Sequence, residues 1–568
     1  MVRPVRVAKH WTLSQLHRHP AAHFALRRTH RQVRTAAARL GLGPGPSVYD
    51  RPEIQQVWRV ATHPESRPLL SARSTGPHVL FFSPHGCWAT HIAWETATAL
   101  ALKVRGAACD FLTCAAALPT CTAEGHRRIR CKSCYPYVQD LVMPFGFPLH
   151  TLAQWALPAT NGSDRVGALD LDGLIEYSYH GLELGKIVLP TVRWAMRRQT
   201  LLADLRTLDT YRAFLRGAIV LCSALPRFLD RFSYDAILCL NGYFASERVL
   251  RVLAAQRGIR VVTYERGFRP DTLFFAHDLP ACQYNVDGIW PGHADHPLTP
   301  REEAVLDGYL AERFRGTRGI AGVDFWPSVE HDERMIRAQL GLDDRPIATL
   351  FTNVLFDTAV QDRDLTFASI FHWLEFTIRQ FAAHPEWQLV IRIHPSEVRD
   401  VGRETEEPVA DRILEAFPSL PANVKLVGPE SQLSSYTLMR MSRVGLVYTT
   451  TAGLEMALMG KRSIVAGITH YRGKGFTDDA ESPLHFQDLL DRRMALDEPL
   501  SAPALEMARR YAYFFFFRAQ MPFDLLDEPE RGKVHLRFDN LADLLPGRSA
   551  GLDAICDGIL LGKDFLVE

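Results

Sequence analysis

Two short apolar runs, Gln388–Ile393 and Val444–Tyr448, constrain the fold of this chain most, because each stops abruptly at a polar motif. Continuous apolar segments of this length read as strands buried on both faces, as in a parallel sheet covered by helices. The first closes on Arg392-Ile393-His394-Pro395, the second on Thr449-Thr450-Thr451-Ala452-Gly453-Leu454-Glu455. Ligands of open α/β sheets bind just beyond the carboxyl ends of the strands. One such end carries a cation and an imidazole. The other carries hydroxyls and a glycine at a helix start, where free N–H groups attract phosphate. The pair predicts a pocket for the phosphates and ribose of a nucleotide.

A chain of 568 residues exceeds one ordinary core, so two large domains with appendages are expected. Apolar content of 47% and charged content of 23% are those of a soluble globular protein, and a net charge of +1 singles out no partner, nucleic acid included. No apolar run is long enough to cross a bilayer, and the N-terminus lacks the apolar core of a signal peptide. Ten cysteines without a secretory signal predict reduced thiols and a cytoplasmic location. From Met1 to Tyr49 there is no acidic residue, while arginines from Arg3 to Arg39 alternate with Trp11, Leu13, Leu16, Phe24 and Leu26. Such a basic amphipathic stretch, residues 1–40, suits the anionic inner face of a membrane, or equally a solvated helix packed on the next domain. A mitochondrial presequence also fits that composition, though little else in the chain supports it.

The expected organisation is a basic arm over 1–46, ended by the Gly41–Pro46 breaker cluster, then an N-terminal α/β domain over 47–297. Its strands are read at His78–Ser83, Ala236–Leu240 and Arg260–Tyr264, with a helix over Ala89–Arg105 and a Cys-rich loop over 109–134. A helical connection follows over 298–345. A second α/β domain over 346–500 has strands near Ile347–Phe351, Gln388–Ile393, Val424–Val427, Val444–Tyr448 and Ser463–Ala466. The segment 501–568, with the aromatic run Tyr511–Arg518, is expected to return as helix across the domain interface. The fold class is therefore α/β, two doubly wound Rossmann-like domains facing across a cleft.

In the second domain, Thr450 or Thr451 can cap the helix, Gly453 can admit a phosphate to the backbone, and Glu455 can accept from ribose hydroxyls. An ordinary capped helix is the plainer alternative. Arg392 and His394 suit a phosphate oxygen; a surface Arg and a His satisfied by loop carbonyls are the alternative. Asn353 and Asp357 follow the strand Ile347–Phe351, and Asn353 is placed to reach a donor phosphate unless it merely forms a turn.

RIHP, then TTTAGLEMALMGK, then Gly467-Ile468-Thr469-His470-Tyr471-Arg472-Gly473-Lys474-Gly475-Phe476-Thr477 together resemble the capsule polysaccharide biosynthesis family, which includes bacterial β-Kdo transferases acting on CMP-Kdo. Glu265-Arg266-Gly267-Phe268-Arg269-Pro270-Asp271 and Asn241-Gly242 are similar to segments of its N-terminal domain. The similarity runs in scattered blocks from about Asp235 to about Asp479, and Arg266 stands where an acidic residue is often found. The resemblance implies a GT-B fold, sugar transfer from a CMP- or UDP-linked nucleotide-sugar to a glycan or glycolipid acceptor, and contact of His394 with donor phosphate.

Three residues are candidates for the chemistry. Glu265 ends a strand and could serve as base or nucleophile, or simply hold the Arg266–Arg269 loop. His85, in the loop after His78–Ser83, could reach an acceptor, with His91 and Glu95 at i and i+4 on the next helix able to orient it; a structural loop histidine is the alternative. Asp271 is either a third catalytic candidate or a cap of the next turn. Lys474 could neutralise a leaving phosphate or face solvent. No cofactor is expected for catalysis. Cys114, Cys121, Cys131 and Cys134, spaced C-x6-C-x9-C-x2-C with His126 between, suggest structural zinc or an iron–sulfur cluster, against unpaired core thiols. Two rivals use the same fold: a nucleotide-sugar 2-epimerase or polyol-phosphate transferase, and a non-catalytic scaffold of polysaccharide assembly.

Overall fold

The computed structural model describes residues 51–123, 131–156, 165–315, 329–399, 404–530 and 532–568. The basic arm 1–46 and its proposed membrane contact lie outside the described residues, as does His126.

The first sheet is built from β1 (His78–Ser83), β2 (Ala108–Thr113), β3 (Leu149–Thr151), β4 (Ala236–Leu240), β5 (Arg260–Arg266) and β6 (Thr272–His277). The second comprises β7 (Ile347–Phe351), β8 (Gln388–Arg392), β9 (Val424–Val427), β10 (Val444–Val447), β11 (Arg462–Val465) and β12 (Asp478–Asp479). In each, the strands lie in the doubly wound order 3-2-1-4-5-6. All pairings are parallel except β5–β6, which form an antiparallel hairpin. Strands flanked on both faces must be apolar throughout, and β4, β7 and β8 are buried along their whole length. Phe81 in β1, fully buried against Phe111 of β2 at 4.8 Å, typifies the core, and its truncation to Ala costs about 3–5 kcal/mol.

Strand β2 escapes a hydrophobicity reading because Asp110 interrupts it. The structure accommodates that carboxylate by surrounding it with His78 (3.2 Å), His150 (3.3 Å) and the Tyr234 hydroxyl (3.0 Å). These partners overcome the cost of burial and hold Asp110 well below the usual carboxylate range.

The helices that position the site are α1 (Ala89–Lys103), α2 (Cys131–Val142), α3 (Leu184–Met196), α4 (Leu205–Arg231), α5 (Ala245–Ala255), α6 (Pro300–Phe314), α7 (Ala452–Leu458), α8 (Ala502–Tyr513) and α9 (Ala550–Leu561). Helix α4 starts where Asp204 accepts from the Thr207 N–H, and α6 starts at a Thr299/Glu302 capping box. After α8, a π-helical turn over Phe514–Arg518 buries Phe514, Phe515 and Phe516 against Phe268 and Trp290 of the first domain. The chain then differs from the all-helical return expected. Strand β13 (Met521–Pro522) extends the first sheet beyond β6, a hairpin of β14 (Leu526–Glu530) and β15 (Lys533–Leu536) follows, and α9 packs on α1. Strands this short carry too little pattern to be read from sequence. No helix of the described residues is long and apolar enough to cross a membrane.

Candidate functional site

In a 3-2-1-4-5-6 sheet the chain reverses direction between strands 1 and 4, and the crevice at their carboxyl ends is where ligands sit. The two crevices here are lined by the loops after β1 and β4, and by the loops after β7 and β10. The long segment 352–366 after β7 spans both domains. Thr358 Oγ1 accepts from Asn241 at 3.1 Å, Gln361 accepts from Arg193 at 2.8 Å, Asp362 pairs with Arg248 at 3.2 Å, and Arg363 donates to the Gln283 carbonyl at 2.9 Å.

Glu265 lies at the carboxyl end of β5, one strand from the first crevice. Its Oε2 accepts from Asn241 Nδ2 at 2.7 Å and its Oε1 from its neighbour's N–H, Arg266, at 2.9 Å. Burial raises its pKa, and the nearby Asp357 raises it further. Asp357, itself raised by burial, comes from the second domain, so two carboxylates oppose each other across the boundary. Asn241 holds a left-handed backbone (φ 59°), and the following Gly242 (φ 79°) leaves no room for a Cβ, which would lie 2.7 Å from Thr263 Cγ2. The sequence signal for this clamp is the Asn-Gly pair closing an apolar strand; it gives no hint that the amide would bridge to Thr358.

His85 is not the loop base expected. It is buried, packs on Trp88, and its Nε2 lies 2.9 Å from Glu247 on α5. Burial alone would depress its pKa, but Glu247 and the Cys121 thiol outweigh it and raise the value to about 10. An imidazolium at neutral pH cannot take a proton. Glu95 joins the same buried network without touching His85: it accepts from the Ser83 hydroxyl and, at 2.8 Å, from Tyr264, and burial raises it to about 8. Asp271, at the tip of the β5–β6 hairpin (φ 52°), pairs with Arg537 at 3.2 Å beside a surface hollow lined by Thr90, Trp94 and Arg269.

The second crevice holds neutral donors. His394 is depressed to about 4 by burial and by Arg392, so its ring is uncharged. Its Nδ1 accepts from the Ser396 N–H at 3.1 Å, which leaves the proton on Nε2 as a donor. Asn353 Oδ1 accepts from the Thr449 N–H at 3.4 Å, and the buried Thr449 hydroxyl has no protein partner. Thr450 Oγ1 accepts from Ala452 N at 3.4 Å, whereas Thr451 makes no side-chain cap. Thr449 is thus the hydroxyl that choosing between Thr450 and Thr451 as caps passed over.

Four expected donor contacts have other engagements. Arg392 turns away and donates to the Gly428 and Ser431 carbonyls at 2.6 and 3.0 Å. Glu455 is closed in a buried ion pair with Arg313 of α6, its Oε1 accepting from Arg313 Nε at 2.7 Å, so the connection and α7 are locked together. Gly453 makes room for Tyr471 rather than phosphate: a Cβ there would lie 2.4 Å from the Tyr471 oxygen, which donates to the Thr450 carbonyl. Lys474 pairs with Asp287 of the first domain.

Cys121 contacts the Cys87 thiol and the His85 ring, and Cys114 lies near Cys121. Cys134 faces Gly86 from α2, and Cys131 sits at the first position of that helix. Among the described residues no group of three or more His, Cys, Asp or Glu side chains is arranged around a point a metal ion could occupy.

No family model matches this chain, and no curated protein does. Solved structures similar to it include a β-Kdo 2,4 transferase, KpsC of Thermosulfurimonas dismutans, at 15% identity over 55% of this chain and 87% of that one, with a TM-score of 0.32. The UDP-GlcNAc 2-epimerase of Neisseria meningitidis, bound to UDP-GlcNAc, is 12% identical over 77% and 98%, TM-score 0.24. The calicheamicin glycosyltransferase CalG4 is 15% identical over 77% and 94%, TM-score 0.24. At these TM-scores none of the likenesses bears on substrate or mechanism, which rest on the geometry above.

Proposed function

We propose that this chain is a glycosyltransferase that moves a sugar from a nucleotide-sugar to a glycan or glycolipid acceptor. The observation that carries the reading is Glu265, a partly buried carboxylate with a raised pKa, held by Asn241 at a strand end and opposed by Asp357 of the other domain. On this reading the second crevice takes the nucleotide, CMP- or UDP-linked. His394 Nε2–H, the Asn353 amide, and the hydroxyls of Thr449 and Thr450 meet the phosphates without a formal charge in the crevice. Glu265 then deprotonates the acceptor hydroxyl or attacks the anomeric carbon, burial and the charge of Asp357 both raising its pKa above the ordinary carboxylate value. Residues 1–40 would keep the protein at the inner face of the membrane.

The carboxylate pair also favours one rival, a nucleotide-sugar 2-epimerase, which needs acid and base around one sugar and no acceptor. Turnover of UDP-GlcNAc without acceptor tests that alternative directly. The transferase reading is tested with Glu265→Gln: transfer from a panel of CMP- and UDP-sugars should disappear while the protein stays folded. Transfer that survives this substitution sinks the assignment.

A further inference from the structure

Two cysteines on different loops meet at the carboxyl end of the first sheet. Strands β1 and β2 pair in parallel with Ser83 opposite Thr113, so the loops that follow them leave the sheet side by side. Cys87 lies on the first loop and Cys121 on the second. The Cys121 thiol donates to the Cys87 sulfur and accepts from the His85 ring, whose Nε2 is held 2.9 Å from Glu247. From His85 through Cys121 each group thus donates to the next, and the series ends on the Cys87 sulfur. Cys87 also stands two residues before α1, where the free N–H groups and dipole of a 15-residue helix favour negative charge. Both thiols are only half-buried and open to a small solute, whereas Cys109, Cys239, Cys282 and Cys556 are buried. Sulfurs already in contact need only small side-chain rotations to reach the S–S bond length of about 2.05 Å.

We propose that Cys87 and Cys121 are a site of reversible oxidation, closing to a disulfide with a peroxide as the oxidant. The Cys87 thiolate attacks one peroxide oxygen, the O–O bond breaks, and Cys87 sulfenic acid and hydroxide are formed. The Cys121 sulfur then attacks the sulfenic sulfur, the S–S bond forms and a second hydroxide leaves. The two thiol protons turn both hydroxides into water, so two thiols and one hydrogen peroxide give one disulfide and two waters. The bond ties the loop that carries His85 to the loop after β2, and a dithiol reopens it. The site is independent of the proposed transfer activity, and its failure leaves that reading untouched.

The test is thiol counting and peptide mapping on full-length protein, treated with a small excess of hydrogen peroxide and then denatured and alkylated. Two of the ten thiols should be lost, should appear in a peptide linking Cys87 to Cys121, and should return with dithiothreitol. Cys87→Ser should abolish the linked peptide. Cys121→Ser should stop at the sulfenic acid, trapped on Cys87 by dimedone. Cys131→Ser and Cys222→Ser should behave as wild type. Where a variant does not fold, the linked peptide of the wild-type protein decides. The proposal is overturned if folded wild-type protein keeps all ten thiols, or if the peptide that forms links any other pair. It is equally overturned if the dimedone adduct in folded Cys121→Ser falls on a cysteine other than Cys87.

Discussion

The two crevices share a strand order and almost nothing else. The first is filled by its own charges: His85 and Glu247 form a buried ion pair at 2.9 Å, and Trp88 packs on the imidazole. The second is lined by uncharged donors, His394, Asn353 and Thr449, and the Thr449 hydroxyl has no protein partner. The same topology therefore yields a sealed end and a receptive one, and the difference lies in the loop residues rather than in the sheets. The proposed placement of the chemistry follows from this asymmetry. With the first crevice occupied, the first domain offers its carboxylate one strand away, at β5, where Glu265 meets the segment 352–366.

The largest effect that would sharpen the contrast is on turnover. Glu265→Gln should lower transfer by about 10²–10⁴-fold with little change in Tm. His85→Ala should do the reverse of what a catalytic base predicts. By stranding Glu247 it should cost about 3–5 kcal/mol of stability in denaturant unfolding. An inactive but equally stable His85→Ala protein would restore His85 as a base. Arg313→Met strands Glu455 in the same way, and a loss of similar size is expected; an unchanged stability with raised KM would return Glu455 to ribose binding.

Stability against pH separates the crevices with opposite signs. The folded pKa of His85, about 10, lies above its ordinary 6.5, so its contribution is complete below pH 6.5 and is lost as pH rises towards 10. The folded pKa of His394, about 4, lies below 6.5, so stability falls as pH drops from 6.5 towards 4. His85→Gln should flatten the alkaline limb alone and His394→Gln the acid limb alone. The smallest effect is Asn353→Ala, a loss of about 1 kcal/mol in nucleotide affinity, read by calorimetry.

The apolar strands were legible because burial on both faces leaves an unbroken hydrophobic run, and β1, β4 and β7 begin and end where that pattern predicts. Strand β2 was hidden by Asp110, whose partners His78 and His150 stand on the strands paired to either side of it, about thirty to forty residues away along the chain. At the site, the strand-end positions of Glu265, His394 and Asn353 could be read from the chain. The engagements of Arg392, Glu455, Gly453 and Lys474 could not, since each depends on a partner distant in sequence: Ser431, Arg313, Tyr471 and Asp287. A motif shows which chemistry a residue can perform, while its neighbours in the fold decide whether it is free to perform it.

The measurement closest to the central claim is nucleotide binding, by thermal shift with CMP and UDP, compared between His394→Ala and His85→Gln. Stabilisation by one nucleotide should be lost in His394→Ala and retained in His85→Gln, normalised to each variant's own Tm. Stabilisation that survives in His394→Ala but vanishes in His85→Gln would place the nucleotide in the first crevice and contradict the account.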